Sequence, residues 1–182
     1  RVDPGFDTTQ VTTLRIQLPA ARYDGAGSVA FFARLTEEVR QLPSVHSAGV
    51  TMKVPLSGGT IEQTLRIDIE GTTRLLPVLA VDNGYFATLS IPLISGRGFR
   101  SLDLERGTDI IISRRTAAIL FGDPDGSAAV GKQLTLARSG LVYTVIGVVG
   151  DARYEDLATP SAAMVYRPLV VPTDPSVEPG VR

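Results

Sequence analysis

The 182-residue chain contains no cysteine and a single histidine. Without thiols there is no thiol nucleophile, no disulfide and no Cys-based zinc site. One histidine makes a two-histidine metal site impossible. No excess of either charge sign is present: 18 Lys plus Arg face 19 Asp plus Glu, for a net charge of −1 and a pI near 5.9. So balanced a chain has no general electrostatic grip on nucleic acid or anionic lipid, and nucleic acid is not an expected partner. Long apolar runs are missing as well. Leu75–Val81 and Leu141–Val149 are interrupted by Pro77 and Gly147, well short of the roughly 18–20 residues that span a bilayer. The opening Arg1-Val2-Asp3-Pro4-Gly5 has no basic segment followed by an apolar one, so it does not read as a secretion signal. What is present is 43% hydrophobic and 20% charged. That is too apolar for a disordered chain, and the length suits one domain or two small lobes.

Periodicity predicts the elements. Thr13–Leu18 alternates apolar and polar residues, as a strand with one buried face does. After Pro19 and the turn-rich Asp24–Gly27, Ser28 is a candidate N-cap for a helix to about Leu42. Its apolar stripe is Phe32, Leu35, Val39 and Leu42, with Arg34 and Glu38 paired on the outer side. Val45–Met52 reads as the returning strand, completing a β-α-β unit. Past the turn cluster Pro55–Gly59, Leu65–Glu70 and Leu75–Val81 form a hairpin around Gly71. Tyr85–Leu89 is at most a helical turn, and Gly96–Gly98 a loop. Asp109–Ile112 is a strand, Ser113 caps a helix over Arg114–Phe121, and Gly122 ends it in the left-handed region. Gln133–Ala137 and Tyr143–Val149, separated by Ser139-Gly140, make a second hairpin, Met164–Tyr166 a last strand, and Val171–Arg182 a proline-rich tail that is extended or disordered.

Motifs that carry chemistry are incomplete. Asp123-Pro124-Asp125-Gly126 opens like a calcium loop, but the following residues supply no further carboxylate, so a turn is the better reading. Gly96-Arg97-Gly98 and Gly147–Gly150 lack the three spaced glycines of a dinucleotide site, and Gly131-Lys132-Gln133 lacks the hydroxyl of a phosphate loop. A Ser-His-Asp triad would need His46, and no Gly-x-Ser-x-Gly elbow accompanies it. Asp103/Glu105 and Glu155/Asp156 are carboxylate pairs of the kind that does acid–base work, yet solvated loop carboxylates are expected at this composition. Arg114-Arg115 is too small for a nucleic-acid patch. The residues therefore imply no catalytic, cofactor or metal site. Gly84 and Gly96 suit positions of positive φ or close backbone approach. Tyr85, Phe86 and Phe99 read as core anchors, and Arg97 is placed to hold Asp103 in a charge-assisted bond.

An ordered series of motifs carries a resemblance. It runs Gly5-Phe6-Asp7, Leu18-Pro19, Tyr23, Leu42–Val45, Pro55–Gly59 and Val81–Phe86. It continues through Ile91–Phe99, Asp103, Ala117–Phe121, Val130-Gly131-Lys132, Val145–Asp151 and Val165-Tyr166-Arg167-Pro168. From about residue 5 to 168 this order resembles the periplasmic core domain of MacB-type ABC transporter permeases, most of all the duplicated permeases abundant in acidobacteria. The resemblance implies an α+β fold in a single domain over 1–182. Within it, a porter-like β-α-β lobe would cover 8–55, a smaller mixed α/β lobe of Sabre type, rich in antiparallel hairpins, 56–168, and a tail 169–182. Gly84, Tyr85, Phe86, Gly96, Arg97 and Phe99 would be its structural signature.

The resemblance further implies an extracytoplasmic domain of an inner-membrane permease, non-catalytic and without cofactors. Its role would be to transmit motion driven by ATP hydrolysis during efflux or related transport. Its partners would be the permease's own transmembrane helices, a cytoplasmic ATPase subunit or domain, and a periplasmic adaptor. Family members continue past the Tyr-x-Pro strand with another β-α-β unit, whereas here a proline-rich stretch follows Pro168. Unpaired strand edges in the first unit would then favour self-association. The competing reading is an extracytoplasmic ligand- or peptide-binding receptor domain, which requires a closed apolar cleft with converging polar groups. A hydrolase is the third and weakest alternative.

Overall fold

The computed structural model describes residues 3–169 apart from 20, 24, 60, 62, 70 and 138. The tail expected over Val171–Arg182 lies outside the described residues. Strand β1 (Thr64–Ile69) and strand β2 (Thr72–Val81) pair antiparallel through the turn at Gly71, which adopts φ +79°. Strand β3 (Leu93–Gly96), strand β4 (Asp109–Ser113), strand β5 (Gln133–Leu136), strand β6 (Val142–Val149) and strand β7 (Val165–Pro168) complete one sheet in the order β3-β6-β4-β7-β2-β1-β5. Strand β5 also pairs with the first half of β6, so six of the seven strands close into a ring and β3 continues beside the second half of β6. The pairs β2–β7 and β4–β6 are parallel and the others antiparallel. Strand β7 sits between β2 and β4 although it comes last among the described strands.

Period-two alternation, shifted once in β6 at the irregularity between Val145 and Gly147, divides the apolar residues between two cores. Ile110 and Ile112 of β4, Val145 and Val148 of β6 and Val165 of β7 join Leu65, Ile67, Leu134 and Tyr143 in one cluster, covered by Ala117 and Leu120 of helix α4 (Arg114–Phe121). Ile111, Val149 and Tyr166 face the other way, onto Leu79, Val81, Phe99, Met164 and the short helix α2 (Tyr85–Thr88). All three isoleucines of β4 are fully buried because both faces of that strand are covered. The ends of α4 are as the sequence predicts: Ser113 Oγ accepts the Thr116 N–H, and Gly122 closes the helix at φ +61°.

The first β-α-β unit differs from expectation. Helix α1 spans Gly25–Arg40, four residues earlier at its start than the Ser28 cap predicts and two short of Leu42 at its end. Residues 13–17 are exposed, Leu18 is half-buried, and the segment forms no strand, with Leu14 at 82% exposure. Of residues 45–52, only Thr51 makes a β-bridge, to Val81. Alternation specifies which face of a strand is apolar, but a strand exists only when a neighbour supplies ladder bonds. Among the described residues none lies beside 13–18. Two short elements went unanticipated: β3, whose last residue, Gly96, belongs to the expected loop, and helix α3 (Ser101–Arg106).

Candidate functional site

Three polar assemblies join the loops to the barrel, and they contain the residues singled out from sequence. In the first, β3 crosses β6 at two glycines. Gly96 adopts φ +75°, and a Cβ there would stand 2.3 Å from the Ile146 carbonyl oxygen. A Cβ on Gly147 would stand 2.3 Å from the Arg97 oxygen. The close crossing lets the Arg97 N–H donate to the Ile146 carbonyl at 3.0 Å. Its guanidinium then forks onto Asp103, with Nη1 donating to Oδ2 and Nη2 to Oδ1 at 3.0 Å. Asp103 is the third residue of α3, where its carboxylate also accepts the Arg100 N–H at 2.7 Å. The Arg97 hydrogen bonds hold the Asp103 carboxyl down at about 2, below the usual carboxylate range, against the opposing effect of burial. Asp109 adds a longer contact to Arg97 at 3.9 Å. Phe99, 6% exposed, anchors the same loop in the second core.

The second assembly is a buried tyrosine chain. The Tyr85 and Tyr154 hydroxyls lie 2.7 Å apart, and the Tyr154 hydroxyl donates to that of Tyr166 at 3.2 Å. Phe86 meets the Tyr166 ring edge-on at a centroid distance of 4.9 Å. Burial is the leading cause that pushes all three phenols upward from their ordinary value. The chain links α2, the loop after β6 and β7. The Tyr154 carbonyl also accepts the Leu56 N–H at 2.9 Å, which fixes the Pro55–Gly59 turn.

The third assembly joins α1 to α2. Arg40 reaches Ala48, Asp82 and Asn83, beside Gly84. Gly84 has no positive φ but does have the close approach, since a Cβ there would stand 2.1 Å from the Ala48 oxygen.

The structure separates the other candidates. His46 is exposed. The Asp123 carboxylate accepts backbone N–H groups of Gly126, Ala128 and Ala129 at 2.8–3.1 Å, so it organises a turn and its oxygens are occupied. Asp156 likewise accepts from Ala158 and Thr159, and Glu155 is exposed. Asp103 is buried in its ion pair. Among the described residues no group of three His, Asp or Glu side chains is placed to hold a metal ion. A depression of about 100 Å³ beside Tyr154 and Pro160 is small against the ~300–1,000 Å³ of typical ligand pockets. A larger groove of about 500 Å³ between Asp7, Pro92 and Arg114 is open to solvent. Sequence reasoning missed Arg40, Asp82 and Tyr154. The signals available were small: an Asp-Asn-Gly turn after an apolar run, and a tyrosine in an otherwise polar loop.

The MacB-like periplasmic core domain family matches residues 4–177. No curated protein matches the chain. Among solved structures, the periplasmic region of MacB from Actinobacillus actinomycetemcomitans shares the fold with a TM-score of 0.53 at 13% identity, over 75% of this chain and 54% of that one. The extracellular domain of the noncanonical ABC-type transporter YknZ from Gram-positive bacteria gives a TM-score of 0.49 at 19% identity, over 74% of this chain and 60% of that one. A domain of a putative permease from Porphyromonas gingivalis gives 0.47 at 19% identity, over 79% and 57%. The chain thus spans little more than half the length of the solved domains it resembles. Among the described residues no helix is long and apolar enough to cross a membrane. The family match covers nearly the whole chain, and the chain belongs to the MacB-like periplasmic core domains, the extracytoplasmic domains of ABC transporter permeases.

Proposed function

We propose that this domain transmits ATP-driven movement of a permease to its extracytoplasmic partners and catalyses no reaction itself. The observation that carries this reading is where the polar side chains go. Arg97, Asp103 and the three buried tyrosines are engaged in bonds that fix loops to a barrel, and Asp123 and Asp156 in bonds that organise their own turns. A barrel whose strand β4 is covered on both faces deforms little there, because close-packed interiors transmit strain. Such a body suits movement as a unit. The partners are the permease's transmembrane helices, a cytoplasmic ATPase and a periplasmic adaptor. The division into a first lobe over 8–55, expected as β-α-β but holding helix α1 and a single bridge, and a mixed lobe over 56–168 belongs to the same proposal, with the sheet supplied by the second.

The test uses the intact permease with its ATPase. The described chain has no cysteine, so paired labels at exposed Glu37 and Leu75, or at Leu75 in two neighbouring copies, report distances during ATP turnover. The copy-to-copy distance is expected to change with ATP. ATP-independent distances, or saturable micromolar binding of a peptide by the isolated domain, would favour the receptor reading instead.

A further inference from the structure

Neither core cluster includes a side chain of α1 or of residues 43–54. Thr36 is the one buried residue among the sixteen of α1. Regions with few buried apolar contacts open at lower free energy than the core does, so α1 and the barrel differ in stability. They meet at Arg40, the last residue of the helix. Its Nε and Nη2 donate to the Ala48 carbonyl at 3.1 and 2.7 Å. Nη2 also reaches the Asp82 carboxylate at 3.1 Å and Asn83 Oδ1 at 3.3 Å. Asp82 directly follows β2 and is held in place: Oδ1 accepts the Gly84 N–H at 3.1 Å, and the Asp82 N–H donates to the Val50 carbonyl at 3.0 Å. The backbones beneath touch. A Cβ on Gly49 would stand 2.7 Å from the Tyr85 backbone, and one on Gly84 would stand 2.3 Å from Arg40 Nη2. Beyond this contact Tyr85 continues through Tyr154 to β7.

We propose that Arg40, forked between the Ala48 carbonyl and the Asp82 carboxylate over the Gly49–Gly84 crossing, is a releasable joint between α1 and the barrel. Closed, it makes α1, residues 41–52 and α2 move with the barrel. Open, it frees α1 while the barrel stays folded. The guanidinium suits this task because its planar fork engages two acceptors at once. The inference goes beyond motion transmission and rests on the fold alone, so it stands or falls independently of whether the domain serves a transporter.

Hydrogen exchange read by mass spectrometry on the 182-residue chain tests it. Arg40→Gln keeps length and some hydrogen bonding but removes the charge. It is expected to raise exchange over residues 25–52 by on the order of tenfold, the effect of losing one charge-assisted bond. Exchange in β4 and β6 is expected to stay at the wild-type level. Asp82→Asn, which keeps an oxygen for the Gly84 N–H, is expected to affect the same segment. Unchanged exchange over 25–52 in both variants would overturn the proposal. So would an equal rise in β4 and β6, which would make Arg40 a contributor to global stability only.

Discussion

Replacing Asp103 by Asn removes one charge while keeping an oxygen for the Arg100 N–H. The side chain of Asp103 is 6% exposed and that of Arg97 34%. The carboxyl is held at about 2 in the folded protein, chiefly by its hydrogen bonds from Arg97, against about 3.9 when unfolded. Nearly two pKa units correspond to between 2 and 3 kcal/mol at most. Solvent access to Arg97 reduces this to about 1–2 kcal/mol. Because the folded value is the lower one, this stability is fully present above about pH 4 and disappears as pH falls toward 2. Urea melts of wild type and Asp103→Asn at pH 7 are therefore expected to differ by about 1–2 kcal/mol, or roughly 2–8 °C in Tm for a chain of this size. At pH 2.5 most of the difference is expected to vanish. An Asn variant as stable as wild type at pH 7, or a gap of equal size at both pH values, would refute the assignment of this stability to the ion pair.

Alkali is expected to act on the tyrosine chain with the opposite sign. The phenols of Tyr85, Tyr154 and Tyr166 are raised when folded, so their stability is intact below about pH 10 and is lost above it. Tyrosinate absorbance from these three should appear together with unfolding measured by circular dichroism, and tyrosinate signal well before unfolding would contradict their burial. Tyr154→Phe removes the central hydroxyl and leaves its neighbours unpaired, with an expected cost of about 1–3 kcal/mol in denaturant melts; a neutral change would show that the chain is dispensable. Gly84→Ala collides with the Ala48 backbone and is expected to cost about 3 kcal/mol or more. Gly71→Ala, with open space around its Cβ but φ +79°, is expected to cost only about 1 kcal/mol; equal losses would remove the steric argument. The exposed, unpaired 13–18 segment is expected to drive self-association, so light scattering should give a mass rising with concentration above 19.4 kDa. A strictly monomeric mass, or one unaffected by Ile16→Glu, would end that idea.

Local signals were readable wherever one residue type has one structural use. Ser113 and Gly122 bracket α4 because a hydroxyl satisfies an orphan N–H and glycine tolerates left-handed backbone. Both hairpins were visible as alternation around Gly71 and Ser139-Gly140. Residues 13–18 show the limit of the same rule, since alternation says nothing about whether a neighbouring strand arrives. Helix α3 is too short for periodicity, and its evidence was Asp103 at the third position with Gly107 after the last turn. Pairings between distant strands leave no mark on local composition. The joining of β2 to β7, and the second pairing of β5, follow from packing two-sided strands such as Ile110–Ile112. Of the polar assemblies, the Arg97–Asp103 pair was accessible because its members are six residues apart. Arg40 and Asp82 are separated by 42 positions and were not.

The position of β7 has a consequence for how the chain acquires its shape. Residues 165–168 fill the gap between β2 and β4, and β2 was made some ninety residues earlier. Until they arrive, the β1–β2 ribbon is tied to the rest of the sheet only where Ile67 and Asp68 meet β5. Pairings of such long sequence separation form slowly, because loop closure precedes any gain from contact. A chain emerging N-terminus first therefore carries the facing edges of β2 and β4 unpaired until β7 is free. Closure of the six-stranded ring waits on residues 165–168, which supply its β2–β7–β4 link.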